Sequence, residues 1–280
     1  MQYQVMWSLC INRGICMHQY KSLFFMFLLL IYIFLGKCSS PSEPTFSINS
    51  YPLSVGNVWE YDYQKTLSNF KLYVKNPPEL MHDISGKLTV TILSKSTILD
   101  TIPVYIFEYK LVANLYSSLD TIKAYIYYKE NNDGLYIYAV SGRDYHVLSN
   151  SLSVAPPFTI HDQKIKYDTL YKFFNPILYL PYSLRQNSEW DYNSLRLKKV
   201  KGKVNIATNV GDFDCYKVEY LFYSSILQSD YSSYEYISNK GLIKRTCSDD
   251  SCIYVYSNTN MDTVATLSYK ESLVLTDINF

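Results

Sequence analysis

Apolar and polar residues alternate with a period of two through most of this chain, in short runs bounded by polar or turn-forming residues. Leu88-Thr89-Val90-Thr91-Ile92-Leu93 is one run and Val104-Tyr105-Ile106-Phe107-Glu108-Tyr109 another. The runs 122–129 and 135–140 flank Glu130-Asn131-Asn132-Asp133-Gly134. An Asp-Gly pair between alternating runs signals a hairpin, because the turn needs a residue that accepts positive φ. Further strands are predicted at 200–208, 213–223, 233–237, 242–246, 253–256 and 264–275. After residue 38 no stretch keeps a 3.6-residue apolar stripe, which argues against parallel βαβ units and for sequential antiparallel strands. The expected fold is mainly β: a curved antiparallel sheet, half-open barrel or sandwich-like, with little helix, forming one domain over 51–280.

The proline-bearing segment 154–184, with Pro156, Pro157, Pro176 and Pro181, reads as an irregular connection that divides this body into two halves. An internal echo supports the division. Tyr51-Pro52-Leu53-Ser54-Val55-Gly56-Asn57-Val58-Trp59-Glu60-Tyr61 is partly mirrored by Leu180-Pro181-Tyr182-Ser183 and Asn187-Ser188-Glu189-Trp190-Asp191-Tyr192. In both places a proline and a turn lead into a Trp-acid-Tyr strand start, where the indole of Trp59 or Trp190 buries a large area.

One stretch breaks the alternation. Ser22 to Gly36 reads SLFFMFLLLIYIFLG, uncharged throughout and preceded by Lys21. A secretory signal has a basic segment, an apolar core of about 7–15 residues and a cleavage zone, whereas a bilayer span needs roughly 20 apolar residues. The length favours a signal peptide over 1–37, with an uncleaved anchor as the alternative. Met17-His18-Gln19-Tyr20-Lys21 would make an ordinary signal start, so Met17 is a candidate true start codon. The polar run Ser39-Ser40-Pro41-Ser42-Glu43-Pro44-Thr45 lacks the apolar residues needed to pack and suits a flexible tether over 38–50.

Leu35-Gly36-Lys37-Cys38 resembles the lipobox of bacterial lipoproteins, although Lys37 stands where that family places a small residue. The resemblance implies that Cys38 is acylated and becomes the anchored amino terminus. Ser39 after the cysteine differs from the aspartate that retains such proteins in the inner membrane, which points to the outer membrane. Each buried methylene contributes about 0.8 kcal/mol, so several acyl chains hold where one barely would. The other reading of Cys38 is an ordinary thiol.

A second resemblance rests on "YPLSVGNVWEYDY" with Gly56 and Trp59, "GDFDCYKVEY" at 211–220 and "YEYISNKGLIKRT" at 234–246 with Gly241. These segments are similar to a pattern in uncharacterised bacterial envelope lipoproteins, distantly like the half-open barrels of periplasmic lipoprotein and lipid carriers. The resemblance implies a concave sheet and no catalytic residues.

Composition narrows the function. Thirty Tyr and thirteen Phe against nine Gly and ten Pro describe a packed, strand-rich protein. Beyond Lys37 the chain holds 23 basic and 25 acidic residues, a net charge of −2 with no footprint for nucleic acid. Its one basic run, Arg196-Leu197-Lys198-Lys199-Val200-Lys201-Gly202-Lys203, alternates as the solvent face of a strand would. Cys247-Ser248-Asp249-Asp250-Ser251-Cys252 reads as a hairpin loop closed by a disulfide between Cys247 and Cys252, or as two thiols. Zinc needs about four ligands and finds two there. Cys215 is left over once Cys10 and Cys16 depart with the signal, and reads as a small buried hydrophobe. His82-Asp83 and His161-Asp162 recur as pairs without the further ligands a metal hydrolase needs, and read as surface residues. No nucleophile elbow, phosphate loop or calcium loop occurs. The expectation is therefore a non-enzyme without catalytic, metal or cofactor site. It would be a lipid-anchored envelope protein carrying a hydrophobic small molecule or lipid in the concavity of its sheet, or an interaction module binding protein or glycan through exposed tyrosines.

Overall fold

The computed structural model describes residues 48–72, 83–115, 118–145, 147–148, 170–193, 196–224, 229–255 and 263–280. The signal segment, Cys38, the tether up to residue 47, His82 and the 161–162 pair lie outside them. Twelve strands form one antiparallel sheet: β1 (Val58–Leu72), β2 (Ile84–Ile98), β3 (Ile102–Leu115), β4 (Ser118–Asn131), β5 (Gly134–Ser141), β6 (Tyr171–Pro181), β7 (Glu189–Asn193), β8 (Arg196–Thr208), β9 (Gly211–Ser224), β10 (Ser229–Ser238), β11 (Gly241–Val255) and β12 (Thr263–Asn279). Their spatial order is β6-β5-β4-β3-β2-β1-β12-β11-β10-β9-β8-β7. The ends β6 and β7 come back beside one another, so the sheet curls into a nearly closed barrel. Most of the alternating runs become strands longer at both ends than the apolar residues alone suggested, while 200–208 is extended only at its start and the two runs 242–246 and 253–256 belong to one strand, β11.

Each half is a six-strand meander, and the two join through the long β1–β12 ladder. Their registers correspond. Trp59, Val90, Tyr109 and Ala124 stand side by side across β1 to β4. Trp190, Lys198, Tyr220 and Ser233 do so across β7 to β10. On the outward face Tyr125 donates to its cross-strand partner Glu108 at 3.3 Å, and Tyr234 to its partner Glu219 at 3.2 Å. The echo around the two tryptophans thus marks the first strand of each half.

Two expectations change here. The proline-bearing connection contains a strand, since β6 pairs with β5 despite Pro176 and Pro181. Proline has no N–H to give a ladder, and β6 is at the sheet's edge, where that loss is tolerated. The Cys247–Cys252 run is no hairpin either. It lies within β11, which continues along β12 with Cys247 opposite Glu271, Cys252 opposite Leu267 and a bulge after Asp249. The side chain of Cys252 is outside the described ones.

Candidate functional site

The opening motif and the late glycine motif, far apart in sequence, make one contact. Gly56 takes a φ of 94°, which a side chain would strain, and its N–H donates to the carbonyl of Ile92 at 2.9 Å. Asn57 ties the turn by donating from Nδ2 to the carbonyl of Pro52 at 2.8 Å. Trp59 is then fully buried, and its Nε1 donates to the carbonyl of Lys240 at 2.7 Å. Gly241, at a φ of 98°, leaves the space in which Tyr51 and Trp59 sit, since a Cβ there would lie 2.8 Å from Tyr51 Oη and 3.2 Å from Trp59 Nε1.

The matching place in the other half is filled differently. A Cβ on Gly134 would meet the carbonyl of Leu180 at 2.5 Å, and the carbonyl of Asp133 accepts from the N–H of Tyr182 at 2.8 Å. The end of β6 thus occupies the seat that an indole fills in the first case. Trp190 is buried, and its Nε1 has no hydrogen-bond partner among the described residues.

The concave interior is packed with the protein's own aromatic side chains. Trp59, Phe107, Tyr128 and Tyr179 form a buried column with successive ring centroids 6.1, 4.6 and 5.5 Å apart, and the half-exposed Phe280 caps its end 5.1 Å from Trp59. Tyr109 and Tyr128 share a hydrogen bond at 3.1 Å, and Tyr61 donates to the carbonyl of Leu242 at 2.9 Å. Burial raises Tyr109 to about 12 and raises Tyr61, Tyr128, Tyr179 and Tyr192 well above the usual phenol value. They remain neutral hydroxyls at physiological pH. Among the described residues the protein's own side chains thus pack the concave side in place of the expected apolar concavity for a guest, with Tyr and Trp among the inward alternating positions.

Into this interior the second half places an ion triad. Glu235 accepts from Lys198 Nζ at 2.8 Å and from Arg245 Nη2 at 2.7 Å, with all three side chains at least nine-tenths buried. Lys198 Nζ also lies 4.5 Å from the Tyr179 ring centroid, 4.6 Å from that of Tyr192, and 3.5 Å from the Tyr179 carbonyl. It thereby reaches β6 across the seam where the sheet has no ladder. Burial alone would raise the carboxyl of Glu235, but Lys198 and Arg245 outweigh that and bring it down to about 2. Burial lowers Lys198, with Glu235 opposing. The first half holds Val90, Ile126 and Val140 at the corresponding registers. The basic run 196–203 is thus not a uniform solvent face: Lys199 and Lys201 point outward to Glu189 and Glu219, while the even-numbered Lys198 points inward.

A second inward polar group joins β1 to β12. Lys65 stands opposite Glu271, with Nζ 5.3 Å from the ring centroid of Tyr269, whose hydroxyl donates to Glu271. Burial raises the carboxyl of Glu271 against the pull of Lys65 and Tyr269. Cys215 is buried, and burial pushes its thiol up to about 12, the condition of a packed sulfhydryl rather than a nucleophile. Among the described residues no group of three or more His, Cys, Asp or Glu converges as a metal site would.

On the outside, several half-buried tyrosines lie under lysine side chains: Lys95 over Tyr105, Lys129 over Tyr138, and Lys217 over Tyr234 at 4.1 Å from the centroid. These rings do not make a bare aromatic patch. The outer face of β1 to β4 instead holds an open hollow of about 610 Å³, lined by Gln64, Ser85, Lys87, Lys110, Asn114 and Leu119 among others. The alternation gave the outward direction of these residues, but nothing in the sequence showed that they share one hollow.

No protein-family model matches the sequence, and no curated protein matches it either. Two solved structures resemble the chain. One, described as an exported protein with a YmcC-like fold from Bacteroides fragilis, is 14% identical with a TM-score of 0.38 and covers 82% of this chain and 98% of that one. The other, described as a lipoprotein from Parabacteroides distasonis, is 16% identical with a TM-score of 0.36 and covers 82% of this chain and 97% of that one. At scores this low neither likeness carries a function over to this chain.

Proposed function

We propose that this protein is a lipid-anchored, non-enzymatic binding module of the bacterial cell envelope, held to the outer membrane through Cys38, whose ligand meets the outside of the barrel. The observation that carries the choice is the filled interior: the aromatic column and the ion triad occupy the concavity that a carrier would keep for its guest. That weighs against carriage of a hydrophobic molecule and for the interaction-module reading. The lysine-covered tyrosines move its contact surface to the polar hollow on β1 to β4.

Two measurements test the proposal. Palmitate labelling of the full chain in a bacterial host should mark the parent and not Cys38→Ala, with the amino-terminal peptide beginning at an acylated cysteine. An unlabelled parent would refute the anchor. Native mass spectrometry of the purified protein should show the mass of the acylated chain beginning at Cys38 with nothing further bound, and an additional stoichiometric lipid seated inside the barrel would restore the carrier reading.

A further inference from the structure

The outer hollow has a specific charge pattern. Lys87 on β2 stands opposite Val112 on β3, so it is the diagonal neighbour of Lys110, which faces outward two residues before Val112. Lys110 in turn stands directly opposite Lys123 on β4. Like charges directly opposite on one face are unfavourable to a sheet. Only part of this repulsion is relieved within the chain: Lys123 pairs with Glu108 at 3.2 Å, and Asp62 faces Lys87 across β1 and β2 without an ion pair between them. Among the described residues neither Lys87 nor Lys110 forms a salt bridge.

The rest of the lining donates and accepts hydrogen bonds. Gln64, Ser85, Thr89 and Asn114 surround the lysines, Asp62 lines the same hollow beside Lys87 and leaves the lysines in excess by one charge, and Tyr63, Val112 and Leu119 complete the flanks. A volume of about 610 Å³ lies within the range of about 300–1,000 Å³ typical of small-ligand sites. The matching strand in the second half is shorter, since β7 ends at Asn193 after five residues whereas β1 runs for fifteen.

From this geometry we infer that the hollow on β1 to β4 binds an acidic oligosaccharide, with Lys87 and Lys110 receiving its anionic group and Gln64, Ser85, Thr89 and Asn114 its hydroxyls. The amide and hydroxyl groups outnumber the apolar Val112 and Leu119, which suits a polyhydroxylated ligand better than a peptide, whose binding rests mainly on apolar and aromatic anchors. This inference rests on the binding-module reading and names its ligand class.

The test is calorimetric titration of the full chain in detergent at low salt with an oligogalacturonate hexamer, with maltohexaose as the neutral counterpart and poly-glutamate as the acidic peptide. The hexamer should bind, weaken as salt rises, and lose at least tenfold in affinity in Lys87→Met/Lys110→Met. Lys270→Met, an exposed lysine on β12, should bind as the parent does. The variants should melt no lower than the parent, since both lysines are outward and their removal relieves the repulsion with Lys123. Equal binding of maltohexaose, unchanged binding by the double variant, or no binding of the hexamer would overturn the inference, and tighter binding of poly-glutamate would assign the hollow to a peptide. A chain that is lipidated at Cys38 and carries no interior lipid, yet binds no saccharide, refutes this inference and leaves the binding-module reading standing.

Discussion

Replacing Glu235 by glutamine removes the carboxylate that both Lys198 and Arg245 bind while keeping the shape of the side chain. Lys198, Glu235 and Arg245 retain only 2%, 4% and 7% of their side-chain exposure, so water cannot screen the two cations left behind. Breaking a buried ion pair by removing one partner costs about 3–5 kcal/mol. The carboxyl's fall from its ordinary 4.5 to about 2 gives a similar figure, about 3 kcal/mol at about 1.4 kcal/mol for each tenfold change in proton affinity. Both routes predict a loss of roughly 10 °C in thermal midpoint for a domain of this size. Thermal melts of parent and variant at pH 7 measure that loss, and urea unfolding followed by tryptophan fluorescence measures the free energy.

The first half of the barrel supplies the control. Val90, Ile126 and Val140 fill the matching registers there, so Lys198→Val/Glu235→Ile/Arg245→Val should recover most of the loss, as buried ion pairs replaced by apolar residues commonly do. If Glu235→Gln fails to fold, a folded triple variant still identifies unbalanced charge as the cause. A cost for Glu235→Gln below about 1 kcal/mol, or a triple variant less stable than the single one, would refute the reasoning.

Acid should separate the same variants. Because the folded carboxyl of Glu235 titrates below its unfolded value, its contribution is present above pH 4.5 and fades as pH falls from there toward 2. Parent stability measured across that window should therefore drop more steeply than that of the triple variant, and parallel curves would argue against it. Gly241→Ala should cost more than about 2 kcal/mol by denaturant midpoint, since it strains a φ of 98° and presses a methyl into Tyr51 and Trp59. A cost near zero would show that the seat yields. Trp59→Phe and Trp190→Phe lose similar buried area, but only Trp59 Nε1 donates to a carbonyl, that of Lys240. Trp59→Phe should thus be the costlier by about 1 kcal/mol or more. Equal costs would deny the hydrogen bond its role.

The alternation of apolar and polar residues determined the β class, the antiparallel order and most strand positions, because a strand turns successive side chains to opposite faces whatever lies beyond it. It also exposed the Trp-acid-Tyr echo that marks the start of each half, as well as the signal-like segment before Cys38. It could not separate Lys198 from Lys199, because which parity faces inward depends on register with β9. Nor could it show Pro176 in a strand, since only the edge position of β6 makes a missing N–H tolerable there. The joining of Gly241 to Trp59, the Lys198–Glu235–Arg245 triad and the hollow beneath Lys87 and Lys110 all bring together residues from different strands. Local sequence sets that successive side chains point to opposite faces, while register and the curl that brings β7 back to β6 set which face is inside and which residues meet.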